Sequence, residues 1–271
     1  MAHIRSTTYG ESRLRLLRVL RRGDRHDPKD VTIGLRLEGG EALPAEPLKN
    51  LVYRVARAQD HGEVEAFALV LSAEVLAQFP QVTLARVDVA EQVWARLDAA
   101  GKAQGQAFVP GSGERRTALV TSNGTRTSIV AGIDNLVLMR TSGFIPPRTP
   151  GSPDDSEHDA LQSLLVGAVS VRWSYGSGDV AFATYRQGVR AAILETFAWH
   201  TAQSVQRTLS NMADVILEGY AEITSVTLTA EERPYRPADL LSLEADQLYV
   251  AREEPLAVVE VTVERPAPKN A

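Results

Sequence analysis

The feature that most constrains this chain is a change of hydrophobic period that occurs twice in the same order. Over residues 13–16 charged and apolar residues alternate, as in a half-buried strand, and Val31, Ile33, Leu35 and Leu37 alternate with Thr32, Gly34, Arg36 and Glu38. The polar cluster at 23–28 predicts a turn between these runs, so they read as a hairpin, closed by Gly39-Gly40 and Pro44. From Pro47 the period becomes helical. Leu48, Leu51, Val52 and Val55 share one face, and a second helix over 63–78 places Val64, Phe67, Ala68, Leu71, Val75 and Leu76 together before Pro80 stops it. Strands are predicted again at 82–89 and 115–121.

The second half repeats that order. Asn123-Gly124 predicts a two-residue hairpin turn. Strands follow at 128–139 and 164–173, helices at 180–199 and 202–218, and strands at 222–229 and 257–264, with a solvated loop at 146–159. No repeat is visible in the residues themselves; the order of elements is what duplicates. Four antiparallel strands carrying two helices on one face make an α+β unit. The expected domains are residues 1–124 and 125–271. Two such sheets have long edges, which proteins pair, cover or close into a barrel, so an oligomer is expected.

Composition narrows the function. A net charge of −5 argues against a non-specific nucleic-acid binder. The absence of cysteine excludes disulfides, thiolate metal sites and a cysteine nucleophile. No apolar run approaches the ~20 residues that span a bilayer. The chain shows no secretory pattern and no peroxisomal Ser-Lys-Leu ending, so no membrane partner and a cytoplasmic location are expected. His26, His158 and His200 have no metal-ligand spacing, the acidic run around His158 reads as a solvated loop, and no metal is expected.

Five stretches go further: Tyr9-Gly10 with Arg13-Leu14-Arg15-Leu16; Arg22-Gly23-Asp24-Arg25-His26-Asp27; Lys49-Asn50-Leu51-Val52-Tyr53; Arg140-Thr141-Ser142-Gly143-Phe144; and Ser204-Val205-Gln206-Arg207-Thr208-Leu209. Their order and spacing resemble the uricases (urate oxidases), which oxidise a purine with molecular oxygen and no cofactor. The resemblance implies two tandem tunnelling-fold units, each strand-strand-helix-helix-strand-strand, in an oligomeric barrel, commonly a homotetramer with sites at subunit interfaces. It implies that Phe144 stacks on a flat ring and that Val205 and Gln206 hydrogen-bond the ring edge, through the backbone and through the side-chain amide respectively.

Elsewhere the resemblance implies substitution. The family's catalytic lysine falls at Glu11, its partner threonine at about Ala45 and its substrate-clamping arginine at Ser163. The asparagine and histidine that hold dioxygen or water fall at Glu232 and Pro234. Lysine to glutamate reverses a charge, and serine cannot replace a bidentate guanidinium. The expected function is therefore a diverged, cofactor-independent oxidoreductase using molecular oxygen on a purine-like or other flat heterocycle, not urate itself. Glu11 and Glu232 are the candidate catalytic groups, and Phe144, Ser163, Val205 and Gln206 the candidate substrate-binding positions. Two alternatives stay open: a non-oxidative acid–base enzyme on a similar heterocycle, in which the two glutamates act together, or a catalytically silent subunit or binding module.

Overall fold

The computed structural model describes residues 8–58, 62–141, 164–199, 204–233, 235–237, 248–251 and 257–266. The chain divides into two compact units, Met1–Asp134 with Trp173–Tyr185, and Asn135–Arg172 with Arg186–Ala271.

In the first unit β1 (Thr8–Tyr9) and β2 (Leu14–Arg22) both pair with β3 (Arg25–Glu38). Helices α1 (Ala45–Ala58) and α2 (Val64–Gln78) precede β4 (Leu84–Ala99) and β5 (Lys102–Ser122). The order β3-β4-β5 is antiparallel throughout, and β5 pairs with the start of β6 (Thr127–Arg140). The core lies between helices and sheet: Leu48, Leu51 and Val52 of α1, Ala68, Leu71 and Val75 of α2, and Ile33, Leu35, Val87 and Val89 beneath them are all buried. These are the apolar members of the two periods seen in the sequence, brought face to face.

In the second unit the strand order continues from the end of β6 through β7 (Leu165–Tyr175), β8 (Ile223–Glu232) and β11 (Val258–Glu264). Helices α3 (Phe182–Trp199) and α4 (Val205–Gly219) lie in sequence between β7 and β8. Val189 and Ile193 of α3, Leu209, Met212, Ala213 and Ile216 of α4, and Val226 and Leu228 of β8 are buried. A small pair, β9 (Tyr235–Pro237) and β10 (Tyr249–Ala251), forms a separate two-stranded ribbon.

Three features differ from the sequence reading. The turn at 23–28 contracts to Gly23-Asp24, and β3 already includes Pro28, opposite Val19. Pairing of β3 with β4 begins only at Asp30, so the missing proline N–H leaves no gap in that ladder. Strands β4 and β5 run much further than 82–89 and 115–121, into a long hairpin joined at Ala100-Gly101. The turn after Ser122 has four residues instead of two, because the Asn123 side-chain carbonyl accepts from the backbone N–H of Thr125 at 3.1 Å and Arg126 at 2.8 Å. No helix among the described residues is long and apolar enough to cross a membrane.

Candidate functional site

Glu11 sits where the edge strand of the first unit is broken. Tyr9 pairs with Leu37 and Leu14 with Ile33, so residues 10–13 stand opposite residues 34–36, four against three. The extra residue is a bulge, a common device for re-aiming a side chain. It is made by Gly10 at φ 150° and Arg13 at φ 63°. The backbone is pinned there: Leu35 N–H donates to the Glu11 carbonyl at 2.7 Å, and Tyr9 Oη donates to the Gly39 carbonyl at 2.8 Å. The Glu11 carboxylate lies 3.9 Å from the Lys49 ammonium on α1. Ala45 opens that helix one turn before Lys49.

In the second unit Val205 and Glu232 line one narrow cleft of about 30 Å³, partly open to solvent. Leu138, Leu165, Val169, Phe197, Leu209 and Met212 make most of its wall, and among the described residues Glu232 is its only ionisable lining side chain. Three elements hold these residues. Ser204 caps α4, its hydroxyl accepting from Arg207 N–H at 3.2 Å, which fixes the turn carrying Val205 and Gln206. Arg140 Nη1 donates to the Phe197 carbonyl at 3.2 Å near the end of α3, where carbonyls lack helical partners. Glu232 N–H donates to the Ala257 carbonyl at 2.9 Å, and the next N–H, of Arg233, donates to the Val166 carbonyl at 2.8 Å. Val205 is half-buried and Gln206 exposed at the first turn of α4.

Val205 and Glu232 thus share a cleft within the second unit, while Glu11 lies in the first. Phe144, Ser163 and Pro234 fall outside the described residues. Among the described residues no group of three or more histidines or carboxylates has the arrangement of a metal site. Lys49 and Arg140 entered the sequence reading only as members of the motif stretches, without a site role, and Phe197 not at all. Lys49 carried a visible signal, since it sits at the helical spacing from Ala45 that returns a side chain to the same face.

An apolar cleft with one carboxylate, built between two helices and an antiparallel sheet that repeats an earlier unit, defines an α+β protein of the tunnelling-fold class. Residues 129–260 match the model of the Uricase family. The uricase of Arthrobacter globiformis is 26% identical, with 95% of this chain and 88% of that protein covered. The uricase of Arabidopsis thaliana is 27% identical, with 95% and 94% covered. The crystal structure of the Arthrobacter globiformis uricase superposes with a TM-score of 0.87 at 24% identity, covering 100% of this chain and 98% of that one. The urate oxidase of Bacillus sp. TB-90 gives 0.80 at 14% identity, over 96% and 100%. The chain is thus similar to uricases along nearly its whole length and shares their fold.

Proposed function

We propose that this chain is a diverged uricase-family oxidoreductase that uses molecular oxygen, without a cofactor, on a flat heterocycle other than urate. The observation that carries this reading is the second-unit cleft, where among the described residues an apolar wall surrounds a single carboxylate, Glu232, next to Val205. A carboxylate accepts hydrogen bonds and cannot donate when ionised. It suits a ring bearing amino or amidine N–H groups, and it repels a urate anion. Phe144 then supplies the stacking face, Ser163 a small neutral edge, and the Gln206 amide a donor and an acceptor.

On this reading Glu11 of a second copy of the chain, reaching the ring across a subunit interface, is the base. It takes one ring proton, leaving an electron-rich anion. Two electrons pass from that anion to dioxygen, which leaves as hydrogen peroxide after receiving two protons in all. Lys49, 3.9 Å from the Glu11 carboxylate, keeps a positive charge where the resemblance replaces lysine by glutamate. It stabilises negative charge developing nearby. The subunits form a homo-oligomer in the cytoplasm, and the tandem repeats meet at the turn between residues 124 and 125.

Oxygen uptake tested across purines, pterins and related heterocycles is expected to reveal a substrate, with uptake abolished in Glu11→Gln and weakened in Gln206→Ala. Uptake on urate that survives Glu11→Gln contradicts both the substrate and the base. The carboxylate in an apolar cleft also favours a second reading, acid–base chemistry without oxygen; turnover that persists under strict anaerobiosis selects it.

A further inference from the structure

A second cleft, independent of the one above, lies within the first unit among β2, β3, β4 and β5, about 340 Å³ in volume and open to solvent. Its lining is strongly basic: among the described residues Arg22, Arg25, Lys29, Arg96 and Arg116 face two carboxylates, Asp27 and Glu91. On a chain of net charge −5, this is a local reversal of sign.

The cleft is built by specific backbone features. The pairing of β4 with β5 shifts register between Gln92 and Trp94, so two consecutive side chains, Val93 and Trp94, both line it. Arg96 is fixed from three sides, donating to the Gly105 carbonyl at 2.8 Å, the His26 carbonyl at 2.6 Å and Asp27 Oδ1 at 2.5 Å. Its guanidinium lies 5.2 Å from the centre of the Phe108 ring. Lys29 and Arg116 share Glu91, at 2.9 and 3.4 Å. Gly105 lets the β2–β3 turn sit directly on β5, since a Cβ there would stand 2.0 Å from the Asp24 carbonyl oxygen.

Arg22 and Arg25 are cross-strand partners on either side of Gly23-Asp24. Each guanidinium can bind a phosphate through two parallel N–H bonds. Trp94 and Phe108 supply aromatic surface in the same cleft, suited to a planar ring.

The geometry points to a nucleotide site in the first unit, with phosphates between Arg22 and Arg25 and the base against Trp94 and Phe108. Calorimetric titration of the full chain in low-salt buffer, with ATP, pyrophosphate and adenosine as probes, tests it. ATP is expected to bind more tightly than either pyrophosphate or adenosine and to quench tryptophan fluorescence. The double variant Arg22→Glu/Arg25→Glu, exposed and remote from the core, is expected to keep its circular dichroism and weaken ATP by about tenfold or more. Trp94→Phe is expected to remove most of the quenching while phosphate binding persists. Absence of ATP binding at millimolar concentration overturns the site, as does equal affinity in the double variant. Displacement of ATP by a single-stranded RNA far below the concentration of ATP itself overturns the ligand class.

Discussion

Glu65 on α2 is 1% exposed, and burial pushes its carboxyl up from its ordinary value of 4.5 to about 7, with the nearby Glu91 adding to the rise. Its surroundings in the first unit include Tyr175, whose hydroxyl is also raised by burial and whose ring meets Trp173, Phe182 and Tyr185 edge-on. A carboxyl whose folded value lies above its unfolded one binds its proton more tightly in the native state. Stability is therefore greatest below pH 4.5 as far as this group is concerned, and falls as pH rises towards 7. The difference corresponds to about 3 kcal/mol. Glu65→Gln is expected to raise the denaturation midpoint at pH 8 and flatten its dependence between pH 4.5 and 7. Denaturant melts at several pH values check this, and an unchanged slope in the variant rejects it. The sequence marked Glu65 only as a member of a helix. Its neighbour Tyr175 lies far along the chain, where periodicity does not reach.

The elements, by contrast, were largely written in the hydrophobic period, and the structure shows how deep the duplication runs. Val64 to Glu91 in the first unit and Val205 to Glu232 in the second span the same number of residues, from the first turn of a helix to a strand carboxylate. Phe79 N–H donates to Val75 and Val82 N–H to Phe79; Tyr220 and Ile223 repeat the pair with Ile216 and Tyr220. Arg18 donates to the Ala56 carbonyl at 2.9 Å, as Arg140 does to Phe197 at 3.2 Å. What alternation did not reveal is the far hairpin of β4 and β5. There Gly105, Pro110, Gly111 and Gly113 break the pattern, and bulges shift which side chains share a face. Nor did it reveal the bulge that places Glu11. Two changes test how these elements hold the candidate site. Ser204→Ala removes the α4 cap and is expected to cost about 1 kcal/mol, read as a lower melting temperature. Gly10→Ala puts a Cβ 2.1 Å from the Leu35 carbonyl oxygen. That forces the edge strand outward, so it is expected to cost about 1–3 kcal/mol and to reduce turnover more than Ser204→Ala does.

At the scale of the whole molecule, each unit leaves unfinished surface among its described residues. The strand order ends at β1 and β2 on one side and at β11 on the other, so backbone N–H and C=O groups of these edges have no further strand to pair with. An open edge is a template for another chain, and natural proteins blunt it or cover it. Strand β11 is a run of valines broken by Glu260, Thr262 and Glu264, with no proline and no lysine to discourage pairing. Large apolar side chains are exposed as well: Trp199 at 82%, Leu17 at 62%, Val258 at 61% and Met139 at 59%. Leu17 lies on β2 and Val258 on β11, so apolar exposure falls on the same edges that lack partners. A monomer would keep both the unpaired ladder and the wetted side chains, whereas association through the edges removes both at once. Light scattering on the purified chain is expected to give a multiple of 29.5 kDa that persists at micromolar concentration. In that state backbone amides of β2 and β11 are expected to exchange with deuterium as slowly as those of the central strands. A mass of 29.5 kDa with fast exchange along both edges rejects an edge-paired assembly. A multiple of that mass with fast exchange places the interface on the exposed helical surface around Trp199 instead.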